Sequence, residues 1–182
     1  MFVPNCTQTP AVGRLTVDLP YAIHSRGHDA AANDRMTLNG HVVRLQFCSA
    51  FDMLDFVQVV SDYLCRRVGF DEDSMHWVGV AVRESVINAI KHGNHNDHSK
   101  LVHVEFTSST DSGELAISIR DEGEGFDPES IADPLAPENM LKSSGRGIFL
   151  MRNFMDDVEL RRVPGGGMEV RMVKKLSKAE HL

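Results

Sequence analysis

From His41 onward the chain shows two hydrophobic periodicities, one typical of strands and one typical of helices. Apolar residues at every second position predict a strand over 42–47. Apolar residues at helical spacing then predict two helices, over 51–68 and over about 73–92, with Gly69 ending the first. Each helix has one apolar face, so both are expected to pack against a sheet.

The first helix carries a possible cap. Ser49, followed three residues later by Asp52, resembles a capping box in which Asp replaces the usual Glu or Gln. In the second helix, Gly93 and Asn94 are interpreted as the stop signal. The apolar face of the first helix is expected to be buried and comprises Phe51, Leu54, Val57, Ser61, Leu64, Cys65 and Val68.

The second half of the chain predicts two hairpins, separated by a long loop and a short helix. The strands are expected at 102–106, 115–119, 158–163 and 168–174. The loop over 121–144 is long for a compact domain, and such loops are usually functional. The helix follows over about 147–155. Because hairpins make antiparallel neighbours, the sequence predicts an α+β, two-layer α/β sandwich: a mixed, mostly antiparallel sheet with helices on one face.

Residues 1–38 keep neither period for long and contain scattered Pro and Gly, so they are interpreted as a partly irregular N-terminal arm. A short strand near Thr16–Leu19 is the one element expected there. Residues 39–182 form the predicted domain, and a chain of 182 residues fits one domain of ordinary size.

The composition favours a cytoplasmic protein. No run approaches the roughly 18 apolar residues that a membrane span needs, and the N-terminal sequence lacks the basic and apolar regions of a secretion signal. The cysteines form no C-x-x-C pair and leave one odd thiol, which favours reduced thiols over a disulfide framework. They are Cys6, Cys48 and Cys65.

The formal net charge is −7, from 19 Lys and Arg against 26 Asp and Glu. This balance argues against nucleic acid as a partner, because phosphate backbones require a basic surface. Much of the excess is local, since residues 121–138 contain seven acidic residues and no basic one. Carboxylates there can pair with Mg²⁺ or with a basic partner protein, so the charge does not exclude a phosphate-bearing ligand.

Three polar segments at the ends of predicted elements carry the candidate chemistry. The first lies on the second helix, where Glu84 and Asn88 are one turn apart and point the same way. A carboxylate can accept a proton from an attacking hydroxyl, and a carboxamide oxygen is a suitable ligand for Mg²⁺. Taken alone, the pair is better explained as an ordinary exposed polar face.

The second segment, running from Asp121 to Phe126, directly follows a predicted strand. Asp121 can accept a hydrogen bond from an exocyclic amine such as that of adenine. Gly123 and Gly125 allow a flat ring or a phosphate to approach the backbone closely. A simple turn is the alternative interpretation.

The third segment, Ser143-Ser144-Gly145-Arg146-Gly147, opens a helix. Unpaired N–H groups at a helix N-terminus bind anions, and Arg146 adds a further donor. A helix start with a glycine hinge would have the same sequence. The segment matches neither the phosphate-binding loop nor the dinucleotide-binding fingerprint.

In order and spacing, the three segments resemble the N box, G1 box and G2 box of the GHKL superfamily of ATPases and kinases. Residues 80–94 and 153–158 are in addition similar to the bacterial anti-sigma-factor serine kinases. This resemblance covers about 40–176 and implies the histidine-kinase-like (Bergerat) ATPase fold. It implies ATP and Mg²⁺ as ligands, a sigma factor and an anti-anti-sigma antagonist protein as partners, and a homodimer.

The resemblance also implies a role for each motif residue. Glu84 is expected to be the general base that takes the proton from a substrate serine, and Asn88 to bind Mg²⁺. Asp121 is expected to read adenine. The other residues expected to bind the nucleotide are Lys91, His92, Gly123, Gly125, Phe126, Lys142, Ser144, Gly145, Arg146 and Gly147.

One position departs from the kinase pattern. Some members of the group carry an arginine in the lid just before Ser-Gly-x-Gly, and this chain has Ser143 there, with Lys142 beside it. Lys is a point charge rather than a planar fork. The alternative function is therefore a nucleotide-gated regulatory binding module without phosphotransfer. The catalytic domain of a histidine kinase is disfavoured, because 1–38 contain no long helical pattern with a phosphoacceptor histidine.

Overall fold

The computed structural model describes residues 14–18, 40–125 and 146–177. The strands in this part of the chain are β1 (Arg14–Asp18), β2 (Gly40–Cys48), β3 (Leu101–Ser109), β4 (Glu114–Arg120), β5 (Asp157–Arg162) and β6 (Met168–Lys175). The α-helices are α1 (Leu54–Val68), α2 (Glu72–Asn88) and α3 (Arg146–Phe154). A 3₁₀ turn, Phe51–Met53, precedes α1, and a π-helical turn, Ala89–Gly93, continues α2.

The strands form one sheet in the order β1-β2-β3-β4-β6-β5, in which every described pairing is antiparallel. Alternate strand residues point to one face and join the helices in a single apolar core, whose large buried strand members include Phe47, Phe106 and Ile117. The opposite face is polar and includes an Arg44–Glu105 ion pair at 2.6 Å. The α+β prediction, with helices on one face of a mostly antiparallel sheet, is confirmed.

The helices follow the predicted stripes with two exceptions at the start of α1. Phe51 is 43% exposed rather than buried, because it lies in the 3₁₀ turn and not on the helix. The capping box is also wrong. Ala50 caps the 3₁₀ turn, while the Ser49 hydroxyl donates a hydrogen bond to the Lys100 carbonyl at 2.9 Å. Gly69 ends α1 with φ of 98°, as expected of a C-terminal glycine.

The cysteines differ from the expectation of reduced thiols. Cys65 is free and fully buried on the inner side of α1, and burial raises its pKa to about 12, so it is a packing residue rather than a reactive thiol. Cys48 is disulfide-bonded, so the interpretation is wrong for this residue. Chain spacing alone does not show which cysteines a fold brings within bonding distance.

None of the helices in the described part of the chain has the length and hydrophobicity that crossing a bilayer requires.

Candidate functional site

Asp121 lies immediately after β4 and is only 5% exposed. Its Oδ1 accepts hydrogen bonds from the backbone N–H of Gly123 at 2.9 Å and of Met168 at 3.1 Å. Burial raises the pKa of this carboxyl, although the two N–H donors and the nearby Lys100 oppose the shift. Oδ1 is therefore fixed, whereas Oδ2 has no hydrogen-bond partner among the described residues.

Glycines form a cradle around this carboxylate. A Cβ on Gly93 would lie 2.3 Å from Asp121 Oδ2, and a Cβ on Gly167 would lie 2.1 Å from the Asp121 carbonyl oxygen. A Cβ on Gly123 would lie 2.1 Å from the carbonyl oxygen of Gly93. All of these distances are far below van der Waals contact, so only glycine lets the backbone pack this closely around Asp121; the glycines and the carboxylate that they surround are called the Asp121 recess. Gly125, with φ of 72°, borders the same recess beside Gly167.

The π-helical turn Ala89–Gly93 presents Gly93 to Asp121. It carries Lys91 and His92, whose side chains are exposed and form no hydrogen bond to any described residue. A π turn adds one residue to a helical turn, is rare, and is often found at functional sites. Here it moves the glycine at the end of the predicted helix against the carboxylate after β4.

Glu84 and Asn88 both lie half-buried on α2, and neither forms a hydrogen bond within the described part of the chain. Glu84 packs against the start of α3, since a Cβ on Gly147 would lie 2.4 Å from Glu84 Oε1. The structure thus brings the first and third sequence segments together. A carboxylate in this position, unbonded to the described residues, can accept a proton from a group placed between the two helices.

One continuous element connects the two parts of the site. From Glu84 to Gly93 the chain runs nine residues, or about 14 Å at the usual helical rise. Glu84 meets α3 at one end and Gly93 meets Asp121 at the other. An extended nucleotide can therefore place its base at Asp121 and its phosphates beside Glu84 and the N-terminus of α3.

The residues that could hold a metal ion are few. Within 14–18, 40–125 and 146–177, no group of three or more His, Cys, Asp or Glu side chains is arranged to do so. Mg²⁺ in nucleotide sites is commonly held by one or two protein groups together with substrate phosphates. The carboxamide of Asn88, which bonds to none of the described residues, fits this requirement.

Several expected site residues lie outside the described residues: Phe126, Lys142, Ser143, Ser144 and Gly145. For Arg146 the structure gives the backbone, which begins α3.

The sequence interpretation missed three residues of the site. Gly93 and Asn94 were interpreted only as a helix stop, and Gly167 only as part of a hairpin turn. Three consecutive glycines, 165–167, exceed what a hairpin turn needs and were an available signal. Asn94 is fully buried, and its side chain forms hydrogen bonds to three segments of the chain. No local sequence pattern predicts these distant partners.

Glycines packed around a buried acceptor, joined by one helix to a carboxylate at a helix start, are typical of a nucleotide-binding α+β domain. Residues 53–174 match the histidine kinase-like ATPase domain, and the chain belongs to this family.

The chain is also similar to curated proteins. It is 35% identical over 140 residues to an anti-sigma F factor of Oceanobacillus iheyensis, covering 75% of this chain and 93% of that protein. It is 32% identical over 144 residues to the anti-sigma F factor of Bacillus subtilis, covering 77% and 96%. It is 31% identical over 123 residues to the serine-protein kinase RsbW of Oceanobacillus iheyensis, covering 64% and 75%.

Among solved structures, the fold matches a crystal structure of the RsbU and RsbW domains of a Mycobacterium tuberculosis protein. The TM-score is 0.52 at 17% identity, covering 74% of this chain and 33% of that one. At this identity the match supports the fold alone.

Proposed function

We propose that this protein is an ATP-dependent serine kinase that acts as an anti-sigma factor. It binds a sigma factor and phosphorylates one serine of an anti-anti-sigma antagonist. The observation that carries the proposal is that Glu84 packs against the start of α3 in a histidine kinase-like ATPase domain and bonds to none of the described residues. The similarity to proteins named anti-sigma F factor and serine-protein kinase RsbW supports the choice of acceptor and partner.

One end of the site, around Asp121, recognises the adenine base. Asp121 Oδ2 accepts a hydrogen bond from the exocyclic amine, while Oδ1 stays anchored to the Gly123 and Met168 amides. The glycine cradle lets the flat ring lie against the backbone. Phe126 is a further expected contact of the nucleotide, as the family resemblance implies.

The phosphate end of the site neutralises charge. Asn88 is the expected ligand of Mg²⁺, which, when bound, supplies positive charge at the phosphates. Lys91 and His92 add donors from the π turn, and the first N–H groups of α3 at Gly147 face the phosphates. Lys142, Ser144, Gly145 and Arg146 are the further expected phosphate contacts.

Transfer of the phosphoryl group then needs little covalent participation by the protein. A bond forms between the hydroxyl oxygen of the substrate serine and the γ-phosphorus, and the bond from that phosphorus to the β–γ bridging oxygen breaks. Glu84 takes the proton of the serine hydroxyl, and ADP leaves. Positioning of the two reactants by α2 and α3 accounts for most of the expected acceleration.

The remaining features of the proposal concern assembly. The protein works as a homodimer in the cytoplasm, and its partners are the sigma factor and the antagonist. The net charge of −7 suits protein partners better than nucleic acid.

The experiment mixes the protein with ATP, Mg²⁺ and a candidate antagonist and measures phosphoserine. Glu84→Gln keeps the shape of the side chain but cannot take a proton, so transfer should fall by about 10²- to 10⁴-fold while ATP binding persists. Glu72→Gln, the same change about three turns earlier on α2, is the matched control and should leave the rate unchanged.

If the wild-type protein binds ATP but never yields phosphoserine, the kinase proposal fails. The alternative, a nucleotide-gated binding module without phosphotransfer, would then account for the protein. In that case Glu84→Gln would leave the ATP-dependent binding of the sigma factor unchanged.

A further inference from the structure

Asn94 lies directly after the π turn and is completely buried. Its Nδ2 group donates hydrogen bonds to Ser49 Oγ at 2.7 Å and to the Leu101 carbonyl at 2.9 Å. Its Oδ1 accepts a hydrogen bond from the backbone N–H of Glu122 at 2.8 Å. The side chain therefore joins the end of β2, the start of β3 and the turn after β4.

The same residue also closes the π turn. The backbone N–H of Asn94 donates to the Ala89 carbonyl at 2.8 Å. Because Gly93 precedes Asn94 and Asp121 precedes Glu122, the Asn94–Glu122 hydrogen bond lies one residue away from the contact between Gly93 and the Asp121 carboxylate. This bond therefore ties the end of the π turn to the residue next to the carboxylate.

Glu122 is held at its other end as well. Its Oε2 accepts the Leu101 N–H at 2.9 Å, and its Oε1 lies 2.9 Å from His103 Nε2. The turn after β4 is thus tied to β3 by the Glu122 side chain and to the π turn by Asn94. Of these ties, only the one from Asn94 connects the turn to the element that carries Gly93.

We infer that Asn94 is a positioning residue for recognition of the adenine base, an inference that rests on the proposed function of Asp121. By fixing the Glu122 amide, Asn94 sets the position of Gly93 against Asp121 and the direction of Oδ2. Recognition groups must be held to within about half an ångström to keep their hydrogen bonds. Loss of the Asn94 side chain should therefore weaken reading of the exocyclic amine more than binding of the phosphates.

The test compares the binding of ATP with that of inosine triphosphate, which carries an oxygen in place of the amine. Wild-type protein should prefer ATP. In Asn94→Ala the affinity for ATP should fall by about tenfold or more, the effect of losing a hydrogen bond to a charged group. The affinity for inosine triphosphate should change little, so the preference should collapse.

Ser49→Ala is the matched control, because it removes one partner of Asn94 but leaves the bond to Glu122. It should lower the melting temperature and keep the preference for ATP. Asn94→Leu, which has a similar volume, carries the test if Asn94→Ala does not fold.

Two results would overturn the inference. One is an Asn94 variant that folds and keeps the full preference for ATP. The other is an equal loss of affinity for both nucleotides, which would make Asn94 merely structural. A wild-type protein without preference would instead refute the proposed adenine site itself.

Discussion

At the scale of single residues, Asp121 shows a conflict between folding and function. Burial raises the pKa of its carboxyl in the folded protein above the ordinary value of 3.8. The folded state therefore holds the proton more tightly than the unfolded state. As pH rises from the unfolded pKa through the folded pKa, this residue lowers the free energy of unfolding, and the full cost applies above the folded pKa.

Replacing Asp121 by Asn should separate the effect of this residue on stability from its effect on ATP binding. Asn can still accept the Gly123 and Met168 hydrogen bonds through Oδ1, but it has no charge and presents a donor in place of Oδ2. The nucleotide-free variant should melt at a higher temperature than wild type at pH 7, with a smaller difference near pH 4. Its affinity for ATP should fall by about 10- to 150-fold, as for a lost hydrogen bond of about 1.5–3 kcal/mol to a charged group.

The measurements are thermal denaturation across pH and titration with ATP. Asp52→Asn, on the exposed 3₁₀ turn before α1, is the control. It should change neither the melting temperature nor the affinity for ATP. Unchanged ATP affinity in Asp121→Asn would remove Asp121 from the adenine site.

The residues that sequence reasoning missed share one property: their partners come from distant parts of the chain. Asn94 follows a helix and was interpreted as its stop, yet its side chain binds Ser49, 45 positions earlier. Ser49 itself was interpreted as a helix cap, yet its hydroxyl binds the Lys100 carbonyl. Local sequence patterns predict hydrogen bonds to neighbouring residues, but in this fold both side chains bond to distant residues instead.

At the scale of elements, α2 and its π turn organise the site because one helix reaches both the Asp121 recess and α3. Gly147 shows how closely α3 approaches. In an isolated helix, Gly→Ala is stabilising by about 0.5–1 kcal/mol. In this protein the new Cβ would lie 2.4 Å from Glu84 Oε1 and 2.3 Å from its Cγ, so either α3 or Glu84 must move.

Gly147→Ala should therefore reduce phosphoserine formation by at least about tenfold, because misplacement by about 1 Å can cost a hundredfold. Gly79→Ala is the matched control on α2. Its Cβ would meet only the end of the Gln58 side chain, at 2.4 Å from Nε2, and that flexible group can turn away. The rate is measured at saturating ATP.

Equal rates for wild type and Gly147→Ala would show that the contact between Glu84 and α3 has no part in transfer.

The elements themselves were largely predictable from the sequence. Alternation predicted β3 and β4, and the glycine at the end of α1 has the expected left-handed backbone. The π turn was not predictable, because its residues continue the helical pattern of α2. The recess was half predicted: Asp121, Gly123 and Gly125 follow a strand in the sequence, whereas Gly93 and Gly167 reach them only through the fold.

At the scale of the whole molecule, the apo protein should gain stability from nucleotide. At ATP and Mg²⁺ concentrations about 100 times Kd, binding adds about 2.7 kcal/mol. For a chain of this size that corresponds to a rise in melting temperature of about 5–11 °C. Removing Mg²⁺ with a chelator should reverse most of the rise, because the phosphates then lose their main counter-charge.

Thermal denaturation with ATP alone, Mg²⁺ alone and both together checks this. If Mg²⁺ alone raised the melting temperature as much as Mg²⁺ and ATP together, the protein would have a metal site independent of nucleotide.

The central claim is that ATP lies along α2, with its base at Asp121 and its phosphates between Asn88, Glu84 and the start of α3. A crystal structure with Mg²⁺ and a non-hydrolysable ATP analogue tests it most directly. The account predicts the exocyclic amine within hydrogen-bonding distance of Asp121 Oδ2 and the metal on the Asn88 side chain. A nucleotide bound elsewhere, or bound here with its base away from Asp121, would contradict it.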